Sequence, residues 1–211
     1  HMTEKVVIPP ADEIELLERR WYKGPKEKYL PYQPDDDLVP PLVKAGEGYR
    51  FHVTGLTHDE RGYPVMNADC QELCVRRLVE KIRKNTDDIV EFEEKDTKGA
   101  EVVVVSYGIS SRVAVRAVDL ARKAGIKVGT LRLKVVWPFP EKRIRELSKK
   151  VKAFVVPEIN YGQMVYEVER CSCARAKIVL VAHGGGWVHN PGDILYAIKR
   201  VVEEKRKREG V

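Results

Sequence analysis

Beyond residue 100 the chain alternates short apolar runs with stretches of helical period, and few folds accept that alternation. The runs over 101–105, 127–133, 152–156 and 177–182 carry few polar interruptions, the pattern of strands covered on both faces. Between them helical periodicity occupies 111–123, closed by Gly125, then 141–149 and 162–170, and a last helix starts at Pro191. Asn190 suits the N-cap of that last helix, with Pro191 at its first position and Asp193 in its first turn. Strands buried on both sides and joined by helices need crossover connections, which are right-handed in nearly all proteins. The expected fold is therefore α/β, a small doubly wound, mainly parallel sheet with helices on both faces.

The front of the chain reads differently. Residues 3–66 are broken by turn formers at Gly24-Pro25, Pro34-Asp35-Asp36-Asp37, Pro40-Pro41, Gly46-Glu47-Gly48 and Gly62-Tyr63-Pro64, and only 12–20 has helical character there. Such a segment cannot build a core alone, yet Trp21, Tyr22, Tyr29, Tyr32, Tyr49 and Phe51 are too many aromatic residues for a free linker. An irregular, aromatic-rich extension packed against a neighbour is the expectation. From Asn67, a good N-cap residue, Cys74, Leu78 and Ile82 recur at helical spacing beside Val75 and Val79, so a lead-in helix opens an α/β domain spanning 67–211. His1-Met2 reads as a cloning scar.

Charge and cysteine usage narrow the function classes. The net charge is +6, but opposite charges are interleaved, and the one clear basic cluster, Lys205-Arg206-Lys207-Arg208, reads as a solvated helix end and not as a nucleic-acid contact. No apolar run approaches the ~20 residues that span a bilayer, so a cytoplasmic protein without membrane contact is expected. Lys, Arg and Glu lift the charged fraction to 33%, a composition of heat-adapted proteins. Cys70 and Cys74 stand one helical turn apart and Cys171 and Cys173 two residues apart. Neither pair has Cys-x-x-Cys spacing, so small buried thiols are expected, with a four-thiolate metal site as the alternative.

In open parallel sheets ligands bind beyond the carboxyl ends of the strands, which directs attention to three turns. In the first, Tyr107, Gly108, Ser110, Ser111 and Arg112 offer helix N–H groups and a guanidinium to an anion, or simply cap a helix. In the second, Glu158 and Asn160 follow a strand directly, so Glu158 either orients a partner or ligand hydroxyl or caps the next helix. The third, with Gly184 and Gly185 inside His183–Asn190, permits close approach of a phosphate or another chain, or is a flexible turn. A fourth polar cluster lies ahead of the sheet, where His58 between Thr57 and Asp59, with Arg61 nearby, has the chemistry for proton transfer; a structured loop accounts for it equally well. No Gly-x-Gly-x-x-Gly, P-loop lysine or nucleophile elbow accompanies these turns.

The run from Gly46-Glu47-Gly48-Tyr49 through Thr57-His58-Asp59-Glu60-Arg61-Gly62-Tyr63-Pro64 resembles the segment entering the last domain of the alpha subunits of 2-oxoacid:ferredoxin oxidoreductases, especially the 2-oxoglutarate type. Gly24-Pro25-Lys26-Glu27-Lys28-Tyr29-Leu30-Pro31-Tyr32 is similar to the part upstream, and Ser106-Tyr107-Gly108, Trp137-Pro138-Phe139-Pro140, Val156-Pro157-Glu158 and Asn160-Tyr161-Gly162-Gln163 resemble marks of that family's transketolase C-terminal-like domain. The resemblance implies a complex that converts a 2-oxoacid, coenzyme A and oxidised ferredoxin to acyl-CoA, carbon dioxide and reduced ferredoxin. Thiamine diphosphate, magnesium and iron-sulfur clusters serve that complex. It further implies that this portion has an assembly role, with the beta subunit and other subunits as partners, ferredoxin contacted indirectly, a possible coenzyme A contact and an oligomeric state. The chain has neither a Gly-Asp-Gly metal-diphosphate motif nor a Cys-x-x-Cys-x-x-Cys motif, so no catalytic residue, no metal and no cofactor bound by this chain alone are expected. A free-standing anion or nucleotide-binding α/β module, coenzyme A-like in its ligand, is the alternative.

Overall fold

A computed structural model describes residues 6–209, with side chains through 204, so the reading of His1-Met2 and of the Lys205–Arg208 side chains lies outside the described residues. The chain divides into two compact units, His1–Lys84 and Asn85–Val211. In this division helix α1 (Ala68–Arg83) groups with the front of the chain. Its N-cap is the anticipated one, Asn67, whose side chain accepts the Cys70 N–H at 2.8 Å. Its apolar face is partly covered: Cys74, Val79 and Ile82 are half-buried, while Leu73, Val75 and Leu78 stay exposed.

The rest of the first unit is held by loops. Tyr29 is its one buried hydrophobic residue among those described; its ring contacts Tyr22, Tyr49 and Phe51 with centroids 5.1, 5.5 and 5.4 Å apart, and its hydroxyl donates to the Pro41 carbonyl at 3.1 Å. The aromatic residues thus find one another. The helix expected over 12–20 is absent: only a 3-10 turn, Ala11–Glu13, forms there, and Leu16 and Leu17 are 81% and 94% exposed. Without a surface to bury the Ile14, Leu16 and Leu17 side chains, nine residues of helical propensity do not repay the cost of nucleating a helix.

The second unit carries the alternation read from the sequence. Strands β1 (Phe92–Lys95), β2 (Val102–Tyr107), β3 (Val128–Leu133), β4 (Ala153–Glu158) and β5 (Lys177–Ala182) form one sheet in the order β1-β3-β2-β4-β5. All pairings are parallel except β1 with β3, an antiparallel edge strand that the sequence reading lacked. Side chains alternate across the sheet. Val103, Val105, Leu131, Phe154 and Val156 pack with α4 (Glu141–Ser148) and α5 (Met164–Ser172) on one face. Val102, Val104, Val128 and Val155 pack with α3 (Gly108–Lys123) and α6 (Pro191–Glu209) on the other. A short helix, α2 (Thr86–Ile89), precedes β1.

Because β2 lies between β3 and β4, the chain leaves it in one direction to make β3 and returns on its other side as β4. The carboxyl ends of β2 and β4 are therefore the topological switch point of the sheet. Among the described residues, no helix is long and apolar enough to cross a membrane.

Candidate functional site

Three loops meet at the carboxyl ends of the parallel strands, and the structure joins Tyr107, Glu158 and Asn160 of the expected residues there into one hydrogen-bond network. Glu158, the last residue of β4, is fully buried. Its carboxylate accepts backbone N–H bonds from Gln163 at 3.2 Å, Met164 at 3.1 Å and Val165 at 2.8 Å, which caps the N-terminus of α5. A further donor is the Tyr107 hydroxyl, 3.0 Å away at the end of β2. The Asn160 side-chain amide donates to the same hydroxyl at 3.1 Å, while its carbonyl accepts the Gly162 N–H at 2.7 Å. Burial, together with the Glu158 carboxylate beside it, pushes the Tyr107 phenol above its ordinary value. Of the two roles open to Glu158, the geometry is that of a cap, with its oxygens spent inside the fold.

The first turn differs from the sequence reading. Helix α3 begins at Gly108 and not at 111, so Ser110 and Ser111 lie inside its first turn, both buried. Neither caps the helix, and Tyr107 at the N-cap position makes no side-chain capping bond. Ser110 instead pairs with His189 Nδ1 at 3.4 Å, and His189 Nε2 donates to the Val181 carbonyl at 2.8 Å, which orients the ring. The His189 ring meets His183 edge to face, with centroids 4.4 Å apart. Arg112 follows in the same helical turn and has an interaction of its own.

Gly184 and Gly185 lie in the loop after β5. A Cβ at Gly184 would sit 3.1 Å from the Tyr161 ring, so glycine is what lets that ring lie against the backbone, and Gly185 has a φ of +81°. Sequence reasoning missed Tyr161, His183 and His189 as parts of this cluster. The two histidines flanking a glycine triplet were the available signal; the Ser110 contact, between residues 79 apart, had none.

His58, Asp59 and Arg61 fall in the first unit and form a self-contained turn. The Asp59 carboxylate accepts from the Arg61 backbone at 3.0 Å, the Tyr63 backbone at 3.0 Å and the Arg61 guanidinium at 2.8 Å. Although burial opposes it, the Arg61 guanidinium and these N–H groups hold the Asp59 carboxyl below its ordinary value. His58 Nδ1 donates to the Leu56 carbonyl at 2.7 Å, leaving a buried Nε2 without a partner. The arrangement is that of a hydrogen-bonded loop.

The cysteines depart in part from the reading as buried thiols: Cys171 is buried, Cys70 and Cys74 are half-buried, and Cys173 is exposed because it ends α5 in the left-handed conformation. Among the described residues no three His, Cys, Asp or Glu side chains come together as a metal-ligand set.

Residues 100–194 match the model of the pyruvate:ferredoxin oxidoreductase core domain II. Outside that span the similarity continues: the 2-oxoglutarate synthase subunit KorA of Methanocaldococcus jannaschii is 44% identical over 200 residues, 94% of this chain and 52% of that protein. The chain belongs to the 2-oxoacid:ferredoxin oxidoreductase family. KorA of Methanothermobacter thermautotrophicus is 40% identical over 95% of this chain and 53% of its own length, so the chain spans about half the length of the curated relatives it matches. The ketoisovalerate oxidoreductase subunit VorB of Methanothermobacter marburgensis is 42% identical over a shorter stretch, 60% of this chain and 36% of that protein. A solved 2-oxoglutarate:ferredoxin oxidoreductase from Magnetococcus marinus shares the fold, with a TM-score of 0.76 and 24% identity over 92% of this chain and 34% of that one. Within this family member, the Tyr107, Glu158 and Gly184 turns fall inside the matched core domain, whereas His58, Asp59 and Arg61 precede it.

Proposed function

We propose that this chain is the C-terminal part of the alpha subunit of a thiamine diphosphate-dependent 2-oxoacid:ferredoxin oxidoreductase, and that its work is assembly and interface formation. The parent complex converts a 2-oxoacid, coenzyme A and oxidised ferredoxin to acyl-CoA, carbon dioxide and reduced ferredoxin. The observation that carries this reading is similarity at 40% and 44% identity to two KorA subunits, running through both structural units and not the α/β unit alone. That extent favours 2-oxoglutarate as the substrate, since the match to the ketoisovalerate subunit covers only 60% of the chain. A fully buried Glu158, committed to capping α5, supports a structural role for the carboxyl-end network.

Thiamine diphosphate, magnesium and the iron-sulfur clusters are held by other parts of the complex, supplying the carbanion chemistry and electron transfer when bound. This chain meets the beta subunit and further subunits through exposed apolar side chains, of which Trp137 at 61% and Tyr166 at 59% exposure are the anchors. The complex is oligomeric, cytoplasmic and reaches ferredoxin indirectly, and coenzyme A contact belongs to the assembled enzyme.

Calorimetric titration of the chain with magnesium thiamine diphosphate tests the division of labour. The reading expects no saturable heat. Saturable binding would place the thiamine site in this portion and contradict it.

A further inference from the structure

Four helices follow the carboxyl ends of the parallel strands, and three of their N-termini already carry a capping or acidic side chain, which at α4 is Glu141 in the first turn. Glu158 fills that of α5. At α6 the Asn190 side chain accepts the Gly192 N–H at 2.8 Å and Asp193 adds a carboxylate to the first turn. Helix α3, 16 residues long and placed at the switch point, has neither a side-chain cap nor an acidic residue in its first turn. Its first residue, Gly108, has a φ of +54° and no heavy atom within 4 Å of where a Cβ would stand, so the helix start is open to approach.

A second observation points to a ligand there. Ser111, in the first turn of α3, is 6% exposed, and its hydroxyl has no hydrogen-bond partner. Helical side chains tilt toward the N-terminus, so this hydroxyl is aimed back over the Tyr107–Gly108 turn. A buried hydroxyl without a partner is costly, and an acceptor oxygen on the helix start would relieve it. The same end holds another such atom, His183 Nε2. Through the Ser110–His189 bond and the His183–His189 ring contact, the glycine turn after β5 is tied to the start of α3.

We propose that these elements form one site for a phosphate ester of the nucleotide class. Its phosphoryl group rests on the N–H groups of Gly108, Ile109 and Ser110 and accepts from Ser111. Its heterocycle stacks on the exposed rings of Tyr161 and Trp187, which flank Gly184 and Gly185. Those two aromatic residues are 78% and 79% exposed, and a base can stack on either ring. Strands β2 and β5 are separated by β4, hence by about 10 Å, a span that a mononucleotide bridges between phosphorus and base. The charge of Glu158 does not oppose the anion strongly, because the α5 N–H groups and the Tyr107 hydroxyl already take it up. This site is independent of the assembly role proposed above.

An NMR titration of the full chain with inorganic phosphate and, separately, with adenosine monophosphate tests the proposal. Both probes are expected to shift the amides of Gly108, Ile109 and Ser110 at millimolar concentration, with the nucleotide bound about ten-fold more tightly or better. Trp187→Ala removes that advantage without weakening phosphate binding. Gly108→Asp puts a carboxylate where the phosphoryl group sits, in a backbone conformation that aspartate tolerates, and weakens both probes by about ten-fold or more. Absence of shifts at the three amides in the wild-type chain overturns the site, whether or not either variant folds. Equal affinity for the two probes overturns the placement of the heterocycle.

Discussion

At the scale of single residues, the Tyr107–Glu158–Asn160 network is where buried charge and backbone meet. A carboxylate removed from water is tolerable only when its oxygens are hydrogen-bonded, and Glu158 has backbone donors from α5 and one phenol. Tyr107→Phe removes the phenol and leaves the cap, so it is expected to lower the unfolding free energy by about 1–3 kcal/mol at neutral pH. The pH dependence has a definite sign. The folded-state phenol titrates above its unfolded value, so its contribution is complete below about pH 10 and is lost as pH rises through the raised folded value. Urea unfolding of both proteins from pH 8 upward, as a series, checks this: the wild type should lose its advantage on the alkaline side, and a gap that stays constant through that range would contradict the assignment.

At the scale of elements, legibility in the sequence tracked how local the signal was. The four parallel strands, the helices between them, and the caps Asn67 and Asn190 were readable, because each rests on apolar period or on a short-range hydrogen bond. Strand β1 was not, since Phe-Glu-Glu-Lys has no apolar run and is made a strand by its pairing with β3 and by side-chain ties from distant residues. Of the candidate site, the three turns were legible, but whether Glu158 faces a ligand or a helix depends on where α5 starts, two residues later than the apolar pattern suggested. The edge strand itself makes a prediction. Glu94 in β1 is held below its ordinary pKa first by its hydrogen bond to the Arg143 guanidinium on α4, with burial opposing. A carboxyl depressed in the fold stabilises above its unfolded value and stops doing so as pH falls through the folded one. Hydrogen exchange of the β1 amides paired with β3 should therefore lose protection in acid ahead of the central strands, and Glu94→Gln should abolish that difference. Equal acid sensitivity of β1 in wild type and variant would show that the pair does not hold the edge.

At the scale of the whole molecule, two units of different character sit in one chain. The second has two buried apolar layers on a five-stranded sheet and the features of an independent core. The first has one buried aromatic residue among those described and a helix on which Leu73, Val75 and Leu78 stay exposed, an apolar surface suited to cover by another chain. The role proposed for the chain is assembly, and reconstitution is its sharpest test. The chain is mixed with the portion of the M. jannaschii KorA subunit that it does not span and with that enzyme's thiamine-binding partner subunit, and 2-oxoglutarate-dependent ferredoxin reduction is followed alongside size-exclusion chromatography. Co-elution is expected, with ferredoxin reduction that no component gives alone. Elution of this chain by itself, or ferredoxin reduction by this chain without the others, would contradict it.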